Sequence, residues 1–226
     1  MPELRIVSLV PSVTETLSAW GKTPIACTRF CERPDLAHVG GTKNPNIDQI
    51  VGLAPDLVVL DEQENRKQDH DALVEGGVSV HVLDIRSLDD INPSMAVLAD
   101  LVGATWEPLE LLDQIPERAR AFVPIWRRPW MALGVPTYGS SVLTHLGMRN
   151  VYDHDGPYPQ VELEDVVARQ ADIILAPSEP YNFSARHLEE LQSVAPTMFI
   201  DGKDLFWWGV RTQGALERLT IALEGL

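Results

Sequence analysis

Positive charge is scarce in this chain. Its 226 residues hold 18 Lys plus Arg against 33 Asp plus Glu, a formal charge of −15 at pH 7. Nucleic acid and anionic membrane both reward a basic surface, so the deficit argues against either as a partner. Cysteine is nearly absent as well. Cys27 and Cys31 are too few for a disulfide framework, their spacing is not the Cys-x-x-Cys of a redox motif, and they read as two reduced structural thiols. No apolar run approaches the roughly 20 residues of a membrane helix, so membrane insertion is not expected. Met1-Pro2-Glu3-Leu4 runs directly into the apolar stretch Ile6 to Val10, without a basic leader, an apolar leader core or a small-residue cleavage site. As written, the sequence reads as cytoplasmic. Removal of a leader would instead make it periplasmic, or anchored outside the cytoplasmic membrane.

Catalytic and metal signatures are also missing. His38, His70, His81, His145, His154 and His187 are scattered without His-x-x-x-His spacing, so no built-in metal or cofactor is expected. Ser140-Ser141 lacks the Gly-x-Ser-x-Gly elbow, no Gly-rich phosphate loop is present, and Gly40-Gly41 reads as a backbone turn. Nothing assembles a nucleophile, a base and an oxyanion site, which disfavours an enzyme. An enzymatic alternative would use Asp61, Glu179 or His187 as acid or base on a bound ligand.

What the chain does have is a repeat. Arg5 to Gly21 reads as a strand entering a helix, with Ser12 or Thr14 as its cap. Asn46 to Leu53 is then a short helix and Leu57 to Leu60 an apolar strand. The order returns with a strand-like run near Ala121 to Trp126, a helix ending at Gly147, a short helix after Tyr158 to Val161, and the strand Ile173 to Leu175. Registering Asp56 on Asp172 places Ile47, Ile50 and Val51 on Leu163, Val166 and Val167, so the two halves share an apolar face. Continuous apolar strands bounded by turn residues imply buried parallel sheets. Between the halves, Leu88 to Leu101 and Trp106 to Phe122 carry helical periodicity, with Gly103 between them. The expected fold is therefore α/β, with two Rossmann-like lobes joined by a helical backbone and a ligand cleft between them. Its parts are residues 1–87, 88–121 and 122–226, and the helix Thr212 to Leu223 packs back.

Ligands of open parallel sheets sit at the carboxyl ends of strands. The loops expected there hold Pro11, Ser12, Arg29, Phe30, Asp61, Trp126, Arg127, Arg128, Trp130, Tyr158, Tyr181, Phe183, Phe206, Trp207, Trp208 and Arg211, including four of the six tryptophans. Indole and phenol rings supply flat apolar area, while guanidinium groups pair with carboxylates and stack on rings. Together these residues form a candidate binding surface. The competing reading is that the tryptophans anchor packing and the arginines offset local acid. Trp20 and Trp106 read as core.

Three ordered segments, Arg5 to Leu17, Val39 to Ile47 and Leu53 to Val59, resemble the cobalamin and iron-siderophore substrate-binding proteins of ABC importers, the helical-backbone metal receptors. Tyr158 to Glu164 and Ala171 to Leu175 extend the likeness over nearly the whole chain. The resemblance implies a non-catalytic receptor that holds a bulky metal chelate and delivers it to a membrane permease. It places Pro11, Ser12, Phe30, Trp130, Tyr158 and Trp207 at ligand-lining positions. It also implies acidic contacts with the permease, for which Glu62 or Glu64 and Glu189 or Glu190 are the counterparts. The Trp and Arg content of Phe122 to Met131 and of Trp207 to Arg211 tilts the expected ligand towards a planar or anionic chelate: a ferric siderophore, haem or a corrinoid.

Overall fold

A computed structural model of the chain describes residues 4–111 and 113–225. Met1-Pro2-Glu3, where the leader reading begins, Leu112 within the second helix expected of the middle segment, and Leu226 lie outside the described residues. The chain divides into two units. Unit 1 comprises Met1–Ile85, Asp89–Leu109 and Trp208–Arg211; unit 2 comprises Arg86–Leu88, Glu110–Trp207 and Thr212–Leu226.

Unit 1 contains β1 (Ile6–Ser8), α1 (Pro11–Ala19), β2 (Ala26–Cys27), β3 (Ala37–His38), β4 (Gly40–Gly41), β5 (Asn44–Pro45), α2 (Ile47–Gly52), β6 (Leu57–Asp61), α3 (Lys67–Glu75), β7 (Val80–Leu83) and α4 (Ile91–Val102). Its five-stranded sheet has the order β3-β2-β1-β6-β7, and all four of its strand pairings are parallel. Every residue of β6 is buried, as a central parallel strand covered on both faces requires. The core gathers Val7, Leu9, Ala26, Ile50, Val58, Leu60 and Leu73, with Ile47 packed at its margin. Helix α1 opens on Pro11, whose fixed φ suits the first helical position and whose missing N–H costs nothing there. The expected caps are therefore displaced inward, and Thr14 Oγ1 instead donates back to the Val10 carbonyl at 3.1 Å.

Unit 2 contains β8 (Ala119–Phe122), β9 (Pro124–Trp126), β10 (Met131–Ala132), α5 (Tyr138–His145), β11 (Met148–Asn150), α6 (Leu163–Ala168), β12 (Ile173–Pro177), α7 (Leu188–Gln192), β13 (Thr197–Ile200), α8 (Gly202–Phe206) and α9 (Thr212–Leu223). Its parallel sheet runs β11-β8-β12-β13, and β12 is buried at all five positions. Phe122, Tyr152, Val166, Ile174 and Phe183 share its core, with Leu163 at the margin.

The repeat is visible at atomic level. In unit 1 the Asp56 carboxylate accepts the Arg5 N–H at 2.8 Å, and the Asp56 N–H donates to the Arg5 carbonyl at 2.8 Å. In unit 2 Asp172 and Arg120 exchange the same two bonds at the same distances. Just before each aspartate a non-glycine residue takes positive φ, Ala54 at 45° and Gln170 at 56°. Ile50 and Val166 are each fully buried in their own cores. The third registered pair diverges, because Val167 stands 52% exposed.

The middle segment departs from expectation. A short 3-10 turn at Leu88–Asp90 leads into α4, which ends on Gly103 in the left-handed conformation at φ 62° and ψ 44°. No second helix follows among the described residues: 104–118 carries no regular element, and β8 begins at Ala119. Pro108 and Pro116 remove backbone donors from that stretch, and Ala119 to Phe122 is drawn into pairing with β11 and β12. Trp106 is consequently off any helix. Its Nε1–H donates to Asn92 Oδ1 at 3.0 Å, and its ring meets half-buried Trp20 edge-on at 6.0 Å.

Candidate functional site: aromatic loops at the strand ends

In unit 1 the loop after β2 presents Arg29 and Phe30. The ring of Phe30 is 53% exposed and the Arg29 guanidinium lies 4.9 Å from its centroid. Both lie against the β4–β5 ribbon, where the Arg29 N–H donates to the Gly40 carbonyl at 2.8 Å. A side chain at Gly41 would stand 2.6 Å from Asn44 Oδ1, 3.0 Å from the Phe30 ring and 3.3 Å from the Arg29 guanidinium carbon. Glycine is thus what allows this pair to lie flat on the ribbon.

The loops of unit 1 are tied from below. Asn65 donates to the carbonyls of Leu9, at 3.3 Å, and Thr42, at 2.9 Å, and accepts the Asp61 N–H at 2.9 Å. Asp61, 1% exposed, accepts the N–H groups of Gln63, Glu64 and Ile85. Burial pushes its carboxyl up to about 7, against the pull of those backbone donors. Asp61 therefore knits loops together and is not presented as a ligand contact. Ser12 is buried, Pro11 is half-buried at the start of α1, and Trp208 is 4% exposed in the interior of unit 1. Arg211 is committed to Glu15 through two bonds, of 2.9 and 3.0 Å.

In unit 2 the residues after β8 and β12 form one continuous aromatic cluster. Trp126 meets Tyr181 edge-on at 5.5 Å, Tyr181 lies 4.8 Å from Phe183, and Phe183 stacks on Trp130 at 5.9 Å with 6° between the planes. His187, 5% exposed, packs against Tyr181 and Phe183. Its Nδ1 accepts the Ser184 N–H at 3.1 Å, which fixes the neutral ring's proton on Nε2, 3.4 Å from the Tyr181 hydroxyl oxygen. Burial, helped by Arg186 and Arg127, lowers its pKa and keeps it neutral. Arg127 lies 5.8 Å from the Trp130 ring and donates to Glu190 at 2.9 Å. Trp130 is therefore half-buried within its unit, whereas Trp126 keeps 46% of its surface exposed.

Tyr158, 41% exposed, sits on the loop after β11. Arg169 holds that loop to α6: it pairs with Asp155 at 2.6 and 2.9 Å, donates to the Val151 carbonyl at 2.9 Å and lies 4.1 Å from the Tyr152 ring. Trp207, at the end of α8, is half-buried beneath Lys203 Nζ at 5.4 Å.

Of the predicted contacts, Phe30, Trp126, Tyr158 and Arg29 face solvent, and Tyr181 and Trp207 are half-buried. Arg127 and Arg211, expected to pair with a ligand, are engaged by acids of the protein, because each loop packs beside a helix carrying a glutamate. Sequence reasoning missed Gly41 and Lys203. The i, i+4 spacing of Lys203 and Trp207 on one helix is a signal that could have found the second. Among the described residues no cluster of three His, Cys, Asp or Glu is placed to hold a metal ion.

The sequence profile of the family described as periplasmic binding protein matches residues 6–126. The vitamin B12-binding protein of Salmonella choleraesuis (strain SC-B67) is 27% identical over 194 residues, covering 76% of this chain and 71% of that one. That of Vibrio campbellii (strain ATCC BAA-1116) is 25% identical over 195 residues, covering 77% and 71%. Among solved structures, the periplasmic vitamin B12-binding protein of Vibrio cholerae superposes with a TM-score of 0.76 at 22% identity, covering 99% of this chain and 97% of that one. A periplasmic heme-binding protein from Pseudomonas aeruginosa superposes with a TM-score of 0.79 at 18% identity, covering 97% and 92%. The profile spans more than half of the chain, and the protein belongs to the periplasmic binding protein family.

Proposed function

We propose that this protein is the solute-binding component of an ABC importer, that it works outside the cytoplasmic membrane, and that it carries a metal chelate of the corrinoid or haem class. The observation that carries the reading is the exposure of Phe30, Trp126 and Tyr158, at 53%, 46% and 41%, with Phe30 and Tyr158 on loops that leave the carboxyl ends of β2 and β11 and Trp126 at the carboxyl end of β9. Large rings left in water on those loops suit a ligand that offers a broad face, and the relatives that share this fold include vitamin B12- and heme-binding proteins. Arg29 adds a cation beside one ring, suited to an acidic or amide side group. The protein contributes stacking and hydrogen bonding, with no covalent step. Glu64 and Glu189 are exposed, and we assign them to contacts with basic pockets of the permease; Glu190 is already held by Arg127.

Titrating the folded protein with cyanocobalamin, haemin and a ferric hydroxamate siderophore, while following tryptophan fluorescence, tests the assignment. Saturable quenching by the corrinoid or by haemin is expected. Quenching by the siderophore alone, or by none of the three, overturns it.

A further inference from the structure

A separate concave surface lies wholly within unit 2, along one side of α9. Gln213, Leu216, Glu217 and Ile221 follow one another at i, i+3, i+4 and i+8, which puts all four on the same face of that helix. Leu216, 7% exposed, lies at the floor, whereas Ile221 is 67% exposed, the most exposed large apolar side chain among the described residues. The facing wall is the irregular stretch that carries Asp113 and Ile115. It is pinned beside the end of α5, because the Ile115 N–H donates to the His145 carbonyl and the Arg118 N–H to the Gly147 carbonyl, each at 2.9 Å. Gly147 permits this approach: it sits at φ +73°, and a side chain there would stand 2.5 Å from the Pro116 carbonyl oxygen and 3.0 Å from Ile115 Cγ2. The cavity between these walls measures about 360 Å³, within the range of about 300–1,000 Å³ usual for small-molecule sites.

The lining is aliphatic at Ile115, Leu146, Leu216 and Ile221, and its charge is of one sign. Asp113 and Glu217 bring carboxylates, no Lys or Arg lines the cavity, and neither acid is paired with a cation among the described residues. Glu217 Oε1 accepts the Gln213 Nε2–H at 3.2 Å, from a neutral donor that steadies the carboxylate without cancelling its charge. His145 does not supply the missing cation, since burial lowers its pKa and keeps the imidazole neutral at pH 7. Hydrocarbon laid over the aliphatic floor gains from leaving water, and two uncompensated carboxylates favour a positive charge beside it. An anion of the same shape would gain the first and be opposed by the second.

We propose that this cavity is a second binding site, for a small organic cation that carries an ammonium group on an apolar body. The body covers Leu146, Leu216 and Ile221, and the ammonium lies on the side of Asp113 and Glu217. The site shares no residue with the aromatic loops, and the inference does not depend on what those loops bind. Binding here is reversible and weak by comparison with a buried site, because both carboxylates stand in water. Its charge preference is therefore sensitive to salt.

The test uses the full chain labelled with carbon-13 at its isoleucine methyl groups and titrated at low salt with tryptamine, tryptophol and indole-3-acetate, three probes with one indole body and a positive, a neutral and a negative arm. Expected is a saturable shift of the Ile115 and Ile221 methyl signals, with tryptamine bound roughly fivefold more tightly than tryptophol and indole-3-acetate the weakest of the three. The preference for tryptamine over tryptophol should vanish in Asp113→Asn, Glu217→Gln, which alters two exposed side chains and leaves the aliphatic floor in place. The proposal is overturned if millimolar tryptamine moves neither methyl signal, if the three probes bind equally, or if the double variant keeps the preference. It is overturned as well if the two signals shift with protein concentration alone, which would mean that a second copy of the chain covers this face. If the double variant fails to fold, loss of the preference in wild type at high salt decides in favour, and a preference that salt leaves unchanged decides against.

Discussion

At the scale of single residues, exposure separates the rings proposed to meet a ligand from the rings that hold the protein together. Trp126→Ala removes a half-exposed indole and should weaken chelate binding by about 2 kcal/mol with little change in melting temperature, measured by calorimetric titration and thermal unfolding. Trp208→Ala empties an interior position and should cost about 3–5 kcal/mol of stability. Similar effects of the two substitutions on affinity would erase the distinction. Asp61 gives a pH signature. Its carboxyl titrates near about 7 when folded, above the ordinary value near 4, so the folded chain binds that proton more tightly than the unfolded chain does. Its contribution to stability is full below about pH 4 and is lost as the pH rises through about 7. The stability of Asp61→Asn relative to wild type should therefore improve between those values, by a few kcal/mol at most, in denaturant titrations at each pH. A difference that stays flat, or that reverses, contradicts the reading.

At the scale of elements, the repeat was legible because it rests on local chemistry. The Asp56 to Asp172 registration holds because each aspartate closes a backbone clamp with an arginine, Arg5 or Arg120, where two neighbouring interior strands begin. The same stretch places Ala54 and Gln170 at positive φ, which costs an L residue about 1–2 kcal/mol. Ala54→Gly should recover about 1 kcal/mol, read as a higher melting temperature; a drop would show that the clamp does not need that conformation. Gly209 tests the opposite case. It sits at φ +100°, and a side chain there would collide with Thr16 Oγ1, so Gly209→Ala should lower the melting temperature by several degrees. The helix expected over 106–122 does not form among the described residues, because Pro108 and Pro116 remove backbone donors and because the strand pairing of Ala119 to Phe122 is decided by partners distant in sequence. The helix Thr212 to Leu223, with no such competitor, appears with the bounds its apolar spacing gives.

At the scale of the whole molecule, the family was readable from ordered motifs spread along the chain, while the candidate site was readable only in part. Composition and loop position pointed to Phe30, Trp126 and Tyr158, which are exposed. They could not show that Arg127 and Arg211 are already paired, because Glu190 and Glu15 lie 63 and 196 residues away from them in sequence. The acidic surface, with a formal charge of −15, remains consistent with a protein that presents carboxylates to a basic partner. A ligand that binds only the folded chain must also stabilise it, by about 2.7 kcal/mol at a hundredfold excess over Kd. A melting temperature that does not move at saturating chelate would therefore contradict binding.

The central claim is that exposed rings hold a metal chelate, and equilibrium dialysis against cyanocobalamin and haemin, read by the chelate's own visible absorbance, tests it most directly. The account predicts that the wild-type chamber accumulates at least one of the two chelates to one equivalent per chain, and that the Phe30→Ala, Trp126→Ala double variant, folded by circular dichroism, loses most of that excess. Equal chelate on both sides of the membrane with folded wild type, or undiminished retention by the double variant, would contradict it.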